Sequence, residues 1–277
     1  MPPRPPAALA ARLGPPPWAR AALSPRTARW TGPAGSLIER RPDSPRKAHQ
    51  EAAALRAWGP AARGPALLHA DPDALWLEDL PGRPGAASDG AAVLRALGAA
   101  CAGLDRGASP ADPLPLDAAL AQRAAALAGA PGGLLRGCAW GAWAAWARWP
   151  QHRDLAPRNW LVAADGVRLV DFEHARADAP GTDAARLWLE LRLELDGPAA
   201  EAALRAWDAG RQAAGGPVLP PAEQLLDLCR LATAATLAWA ARHADPTFTR
   251  RGEAWAALLR DGEGPPTLGS VAGAQSA

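Results

Sequence analysis

Apolar and polar positions alternate differently in the two parts of the chain. In the first 80 residues, apolar residues come in short runs bounded by turn formers. Residues 36–41 read as a strand. Ser44-Pro45 then opens a helix, with serine as N-cap and proline in the first turn, that runs to about Trp58. Gly59, Pro60, Gly64 and Pro65 break it. Residues 66–69 and 74–77 read as two strands split by Asp71-Pro72-Asp73, and Leu80-Pro81-Gly82 as a linker. From residue 90 onward the period is helical, and helices are expected at 90–105, 116–128, 134–149, 182–195, 198–213, 221–243 and 250–260. A strand pair at 160–163 and 167–170 interrupts them, around the hairpin signal Asp165-Gly166. The Pro-rich residues 1–17 read as a disordered arm and residues 264–277 as a loose tail.

Strands and helices are therefore segregated, which places the chain in the α+β class and outside the doubly wound folds. The expected architecture has two lobes. A small strand-rich N-lobe spans 18–80 and a larger helical C-lobe spans 81–263, with a cleft between them. A length of 277 residues suits such a domain.

Composition adds limits. The net charge of +2 implies no nucleic-acid partner. Residues 1–177 hold 21 Lys/Arg against 15 Asp/Glu, or +6; residues 178–263 hold 9 against 13, or −4. That division suits an anionic cofactor and a cationic substrate, and scatter over a solvated surface is the plain alternative. Cys101, Cys138 and Cys229 form no CxxC and read as reduced and mostly buried, which fits the cytoplasm. No apolar run reaches the roughly 18 residues of a membrane helix. The opening residues, broken by Arg12 and Pro15–Pro17, make a poor signal peptide. There are 13 tryptophans and no tyrosine, and Lys47 is the lone lysine. Trp140, Trp143, Trp146 and Trp149 recur every three residues and read as a core-packing helical stripe.

The chemistry concentrates between His152 and Glu173. A hairpin turning at Asp165-Gly166 pairs Trp160 with Val170 and sets Asn159 opposite Asp171; Asp154 lies five residues before Asn159, on the loop feeding the first strand. Asp171 and Asn159 offer hard oxygen ligands suited to Mg²⁺, and Asp154 can orient an attacking hydroxyl or take its proton. No Cys/His cluster accompanies them, which argues against zinc.

His152-Arg-Asp154-Leu-Ala-Pro-Arg-Asn159, followed by Asp171-Phe172-Glu173, resembles the catalytic loop and metal-binding motif of the protein kinase-like superfamily. Within it the chain is most similar to the aminoglycoside phosphotransferase/choline kinase-like group. Gln50-Glu51-Ala52 resembles the helix whose glutamate pairs with the nucleotide-binding lysine. The stretch from Leu77 through Glu78 and Leu80 to Gly82 resembles the hinge beside adenine. Gly181-Thr-Asp183 resembles the helix start beneath the catalytic loop, where Asp183 caps and orients. The resemblance covers roughly residues 30–260. It implies ATP and Mg²⁺ as cofactors, Asp154 as the catalytic base, Asn159 and Asp171 as metal ligands, and Glu51, Glu78 and Leu80 at the nucleotide. The acceptor it implies is a hydroxyl on a small molecule such as an amino sugar, amino alcohol or antibiotic. Asp178, Glu190 and Glu194 are the carboxylates that would receive a cationic one.

The chain departs from the pattern where the strand lysine belongs. Glu39, Arg40 and Arg41 occupy that strand; Arg40 aligns best and Arg41 second, while Lys47 sits one turn before Glu51 on its own helix. Thr31–Ser36, with two glycines and a proline, is thin for a phosphate-covering loop. Asp105 stands where relatives carry a histidine. Glu173 is either a further metal or water ligand or a surface carboxylate. A nucleotide-binding pseudokinase with a regulatory role is the alternative to an enzyme. A protein kinase is disfavoured, because the short span from Asp171 to Asp183 leaves no peptide-docking segment.

Overall fold

The computed structural model describes residues 5–108, 114–127, 129 and 133–268. Strands β1 (Ala19–Ser24), β2 (Thr27–Gly32), β3 (Gly35–Arg40), β4 (Leu67–Ala70) and β5 (Leu75–Glu78) form one antiparallel sheet in the order β1-β2-β3-β5-β4. Alternation along β3 sends Leu37 and Glu39 to one face and Ile38 and Arg40 to the other. The first face is covered by α1 (Ala7–Leu13), whose Leu9 and Leu13 pack with Trp30, Leu37 and Trp76. The expected disordered arm thus contains a docked helix, because two leucines four residues apart find an apolar sheet face. Residues 1–4 lie outside the described residues. The expected tail is likewise ordered at its start, where Pro265 and Leu268 are buried; residues 269–277 lie outside the description.

On the second face lies α2 (Pro45–Trp58), capped by Ser44, whose Oγ accepts from the Lys47 amide. Its buried stripe of Ala48, Glu51, Ala52 and Leu55 follows the helical repeat, with one carboxylate among small residues. A short strand, β6 (Arg83–Pro84), leaves the hinge and joins β8 (Trp160–Ala163) and β9 (Gly166–Leu169) in a second sheet. A third pairs β7 (Trp149–Gln151) with β10 (Arg176–Asp178). The rest is helical: α3 (Ala91–Asp105), α4 (Leu116–Ala126), α5 (Thr182–Leu191), α6 (Gly197–Ala213), α7 (Ala222–His243) and α8 (Pro246–Arg260). Helices α3 and α6 cross closely through Gly98 and Gly210; a Cβ at Gly98 would collide with the Trp207 carbonyl and one at Gly210 with that of Arg95.

The helix expected over 134–149 does not form. Gly133 and Gly137 adopt φ of +61° and +78°, outside the helical region, and only a 3₁₀ turn at Trp140–Trp143 remains. The tryptophans still pack as expected of core residues: Trp143 is fully buried, and Trp146 bridges it to Trp149 with ring centroids 6.3 and 6.4 Å apart.

Under the loop that follows β7 runs a buried polar chain. Arg211, with no exposed surface, donates to Asp105 at 3.0 Å, and Gln151 donates to the other Asp105 oxygen at 2.8 Å and accepts from the Asp183 amide. Asp105→Ala strands the Arg211 charge with Asp208 alone. We expect it to cost about 3 kcal/mol of stability, read as a fall in denaturant midpoint at unchanged slope.

Candidate active site

The loop between β7 and β8 is held from below. Asp183, in the first turn of α5, accepts from the backbone amides of His152 (2.8 Å) and Arg153 (2.7 Å). His152, fully buried, contacts the Val170 carbonyl through Nε2 at 2.8 Å and meets the Phe172 ring edge-on. These are anchoring contacts, which leave Asp154 as the projecting carboxylate. Two residues flanking this region hold left-handed backbones without being glycine, Arg153 at φ +68° and Asp171 at φ +64°. Such strain costs on the order of 1–3 kcal/mol and persists where the surroundings enforce it.

Asp154 lies under two arginines. Arg186 reaches Oδ1 at 2.8 Å and Arg158 reaches Oδ2 at 2.9 Å. Asn159 Nδ2 donates to Asp154 Oδ2 at 2.7 Å and to the Asp154 carbonyl at 2.8 Å. Burial alone would raise this carboxyl; Arg186 and Arg158 outweigh it and hold the group well below the usual carboxylate range.

The hairpin turns one residue earlier than the sequence suggests. The turn residues are Ala164-Asp165, Gly166 opens β9 at φ +126°, and Trp160 pairs with Leu169. Arg63 donates to both the carbonyl and the carboxylate of Asp165 at this turn, each at 2.8 Å. Asn159 therefore accepts from the Val170 amide, at 3.0 Å, and Asp171 lies one position beyond that pair. The left-handed bend at Asp171 turns its carboxylate toward β3.

There Arg40 Nη2 stands 2.6 Å from Asp171 Oδ1 and 3.0 Å from Glu173 Oε2, with its Nε 3.5 Å from Glu51 Oε2. Of the three strand candidates, Glu39 and Arg41 pair with each other at 2.6 Å, and Glu39 also takes the Trp30 indole N–H. Lys47 pairs with Asp43 at the surface and does not approach Glu51. Burial pushes the Glu51 carboxyl up to about 7; Arg40 opposes the rise and Asp171 and Glu173 add to it. Burial also raises Asp171, against the pull of Arg40. Arg40 itself is raised: its burial is outweighed by Asp171, Glu51 and Glu173.

Glu78 ends β5 exposed, its carboxylate near the Ala66 amide at 3.3 Å, and Leu80 is buried at the link to β6. The glycine-bearing turn 31–36 joins β2 to β3 and abuts Leu13 of α1, at the end of β2 away from the carboxylates. The turn nearer to them is the one between β1 and β2, which sends Arg26 to Asp43 (2.6 Å) and Glu173 (3.4 Å). The turn dipeptide Ser24-Pro25 was the available signal for it, within a run too short of alternation to read as two strands.

Two of the three carboxylates expected to receive a cation are already paired with arginines. Asp178 is buried against Arg123 (2.7 Å) and Arg153 (2.6 Å), and these outweigh burial to lower its carboxyl. Glu190 is buried between Arg186 (3.0 Å) and Arg251 (3.7 Å), and Glu194 is exposed on the turn after α5. Arg186 was itself missed in sequence, although Asp183, Arg186 and Glu190 share one helical face.

The donors present suit a hard divalent cation. Asp171 and Glu173 already share one positive group, and the Asn159 amide oxygen takes no part in the bonds to Asp154. Mg²⁺ keeps several waters and needs few protein oxygens. No cluster of three or more His, Cys, Asp or Glu suited to a metal occurs among the described residues, so a closed protein cage is not on offer.

Residues 19–217 match the family model described as the phosphotransferase enzyme family. The chain belongs to that family. It is thereby a small-molecule phosphotransferase with a kinase-like fold. No curated protein sequence matches it. Among solved structures it is similar to macrolide 2'-phosphotransferase MphH from Brachybacterium faecium, at 22% identity over 90% of this chain and 96% of that one, with a TM-score of 0.59. It is also similar to a choline/ethanolamine kinase family protein from Mesorhizobium loti (21% identity, 91% and 90% covered, TM-score 0.62). A third is choline kinase LicA from Streptococcus pneumoniae (13% identity, 90% and 96% covered, TM-score 0.65). These likenesses concern the fold. No helix among the described residues is long and apolar enough to cross a membrane.

Proposed function

We propose that this phosphotransferase moves the γ-phosphoryl group of ATP to a hydroxyl of a small molecule. The observation that carries the reading is the convergence of Asp154, Asn159 and Asp171 at one hairpin mouth, with Arg40 reaching Asp171 from Glu51. The new bond joins the acceptor oxygen to phosphorus as the bond from phosphorus to the ADP oxygen breaks. The acceptor proton passes to the Asp154 carboxylate and then to solvent. Asp154, held as an anion by two arginines, is a weak base; it orients the hydroxyl and takes the proton late, as a loose transition state requires. Mg²⁺, held by Asn159 and Asp171, would neutralise charge on the phosphate oxygens.

Arg40 takes the role that a strand lysine fills in relatives. Glu51 would keep it aimed, and Asp171 would be shared between Arg40 and Mg²⁺. Backbone groups around Glu78 and Leu80 flank the adenine. With Arg40 in place, the regulatory pseudokinase loses its main motive, the missing lysine.

The test compares two cations by titration of Mg²⁺–ATP. Arg40→Ala should weaken binding by about tenfold or more, the scale of one charge-assisted contact. Lys47→Ala should leave it within about twofold, as for a surface ion pair. The reverse ranking refutes the assignment.

A further inference from the structure

Cations around the site fall into two groups. Arg26 and Arg40 sit on Asp171 and Glu173, where the nucleotide phosphates are proposed to lie. Arg158, Arg186 and Arg251 gather instead on the Asp154 side. Among the described residues their ion-pair partners are Asp154 and Glu190, so three guanidinium groups share two carboxylates. Arg251 stands 3.7 Å from Glu190, beyond hydrogen-bond reach, feels the Asp154 charge, and lies over the Phe248 ring at 5.3 Å. Arg186 is buried over Trp255 and its Nε has no acceptor. Arg158 is 45% exposed beside the carboxylate that would receive the hydroxyl. Beyond Arg251, Phe248 packs against the exposed Trp239 at 4.7 Å, an apolar wall next to the excess charge.

We propose that the acceptor is an anionic alcohol, a hydroxy acid whose carboxylate lies on Arg251 and Arg158 while its hydroxyl lies on Asp154. This rests on the phosphotransferase reading above and replaces the cationic acceptor expected from charge distribution. Forked guanidinium groups suit a planar carboxylate, and an ammonium group would meet a net positive charge at this mouth.

The experiment offers the full chain, with Mg²⁺ and ATP, matched acceptors of different charge. Glycerate, gluconate and mandelate are compared with glycerol, glucose and 1-phenylethane-1,2-diol, and with ethanolamine, choline and glucosamine. ADP release and phosphorylated product are followed, and saturation-transfer NMR reads binding of the same compounds. The proposal expects turnover or binding of at least one hydroxy acid, absent for its neutral and cationic counterparts. Arg251→Gln should raise KM, or weaken binding, for that acid by about tenfold with kcat little changed. Preference for an amino alcohol overturns it. So does indifference to charge, or a set of hydroxy acids that neither react nor bind at roughly millimolar concentration. Mg²⁺–ATP binding, measured in the same samples, reports on the phosphotransferase reading separately. Intact nucleotide binding with no preference for acids removes the acceptor class alone.

Discussion

Asp154→Ala is expected to lower phosphoryl transfer by about a thousandfold or more, in the range of a lost acid–base group, while Mg²⁺–ATP binding stays within about twofold. The carboxylate is the nearest anion to the acceptor side of the loop and is kept charged by Arg186 and Arg158. Its removal leaves Arg186 with Glu190, so the helix beneath keeps a paired charge. Asp154→Asn preserves shape and removes charge, and should be nearly as inactive as alanine. Transfer rates on single turnover, beside thermal melting of both variants, separate chemistry from folding. A variant that is folded, binds nucleotide and turns over at the wild-type rate would remove Asp154 from the mechanism.

Asp171→Ala is expected to abolish the Mg²⁺ dependence of nucleotide binding and, with it, transfer. Two effects act together in that variant. The metal ligand is lost, and alanine must hold a left-handed backbone that aspartate tolerates better. Asp171→Asn separates them, since asparagine accepts that conformation and carries no charge. It should melt close to wild type yet bind ATP with the same affinity in Mg²⁺ as in a chelator. Arg40 would then keep Glu51 and Glu173 as partners. Full Mg²⁺ dependence in the asparagine variant would place the metal elsewhere.

Local signals carried much of this in the sequence. The serine cap and alanine-rich stripe of α2, the apolar periods of α3, α5, α6 and α7, and the β4–β5 pair around Asp71-Pro72-Asp73 all form close to where their patterns place them. The resemblance placed Asp183 beneath the loop, where it orients the loop but does not cap α5, whose N-cap is Gly181 without a side-chain cap bond; His152 anchors the loop as expected. What failed depends on contacts distant in sequence. The pair Leu9 and Leu13 needs the face made by Trp30, Leu37 and Trp76 to become a helix. Strand β1 is exposed throughout and shows no burial alternation, so pairing with β2 rather than pattern defines it. The tryptophan spacing suggested a helix that positive-φ glycines forbid. The hairpin turns at Ala164-Asp165 with Gly166 opening the second strand, one residue from the register that the Asp-Gly dipeptide suggests. The pairing of Asp178 and Glu190 with arginines was not legible for a related reason, since a charge count by segment carries no contacts.

Calorimetry of ATP binding to the wild-type chain, with Mg²⁺ and with a chelator, bears most directly on a metal-dependent phosphotransferase site. Binding in the micromolar to millimolar range that strengthens by about tenfold or more with Mg²⁺ is the predicted result. Equal binding in both conditions, or none at millimolar ATP, would contradict the placement of a nucleotide–metal site between Arg40 and Asp171.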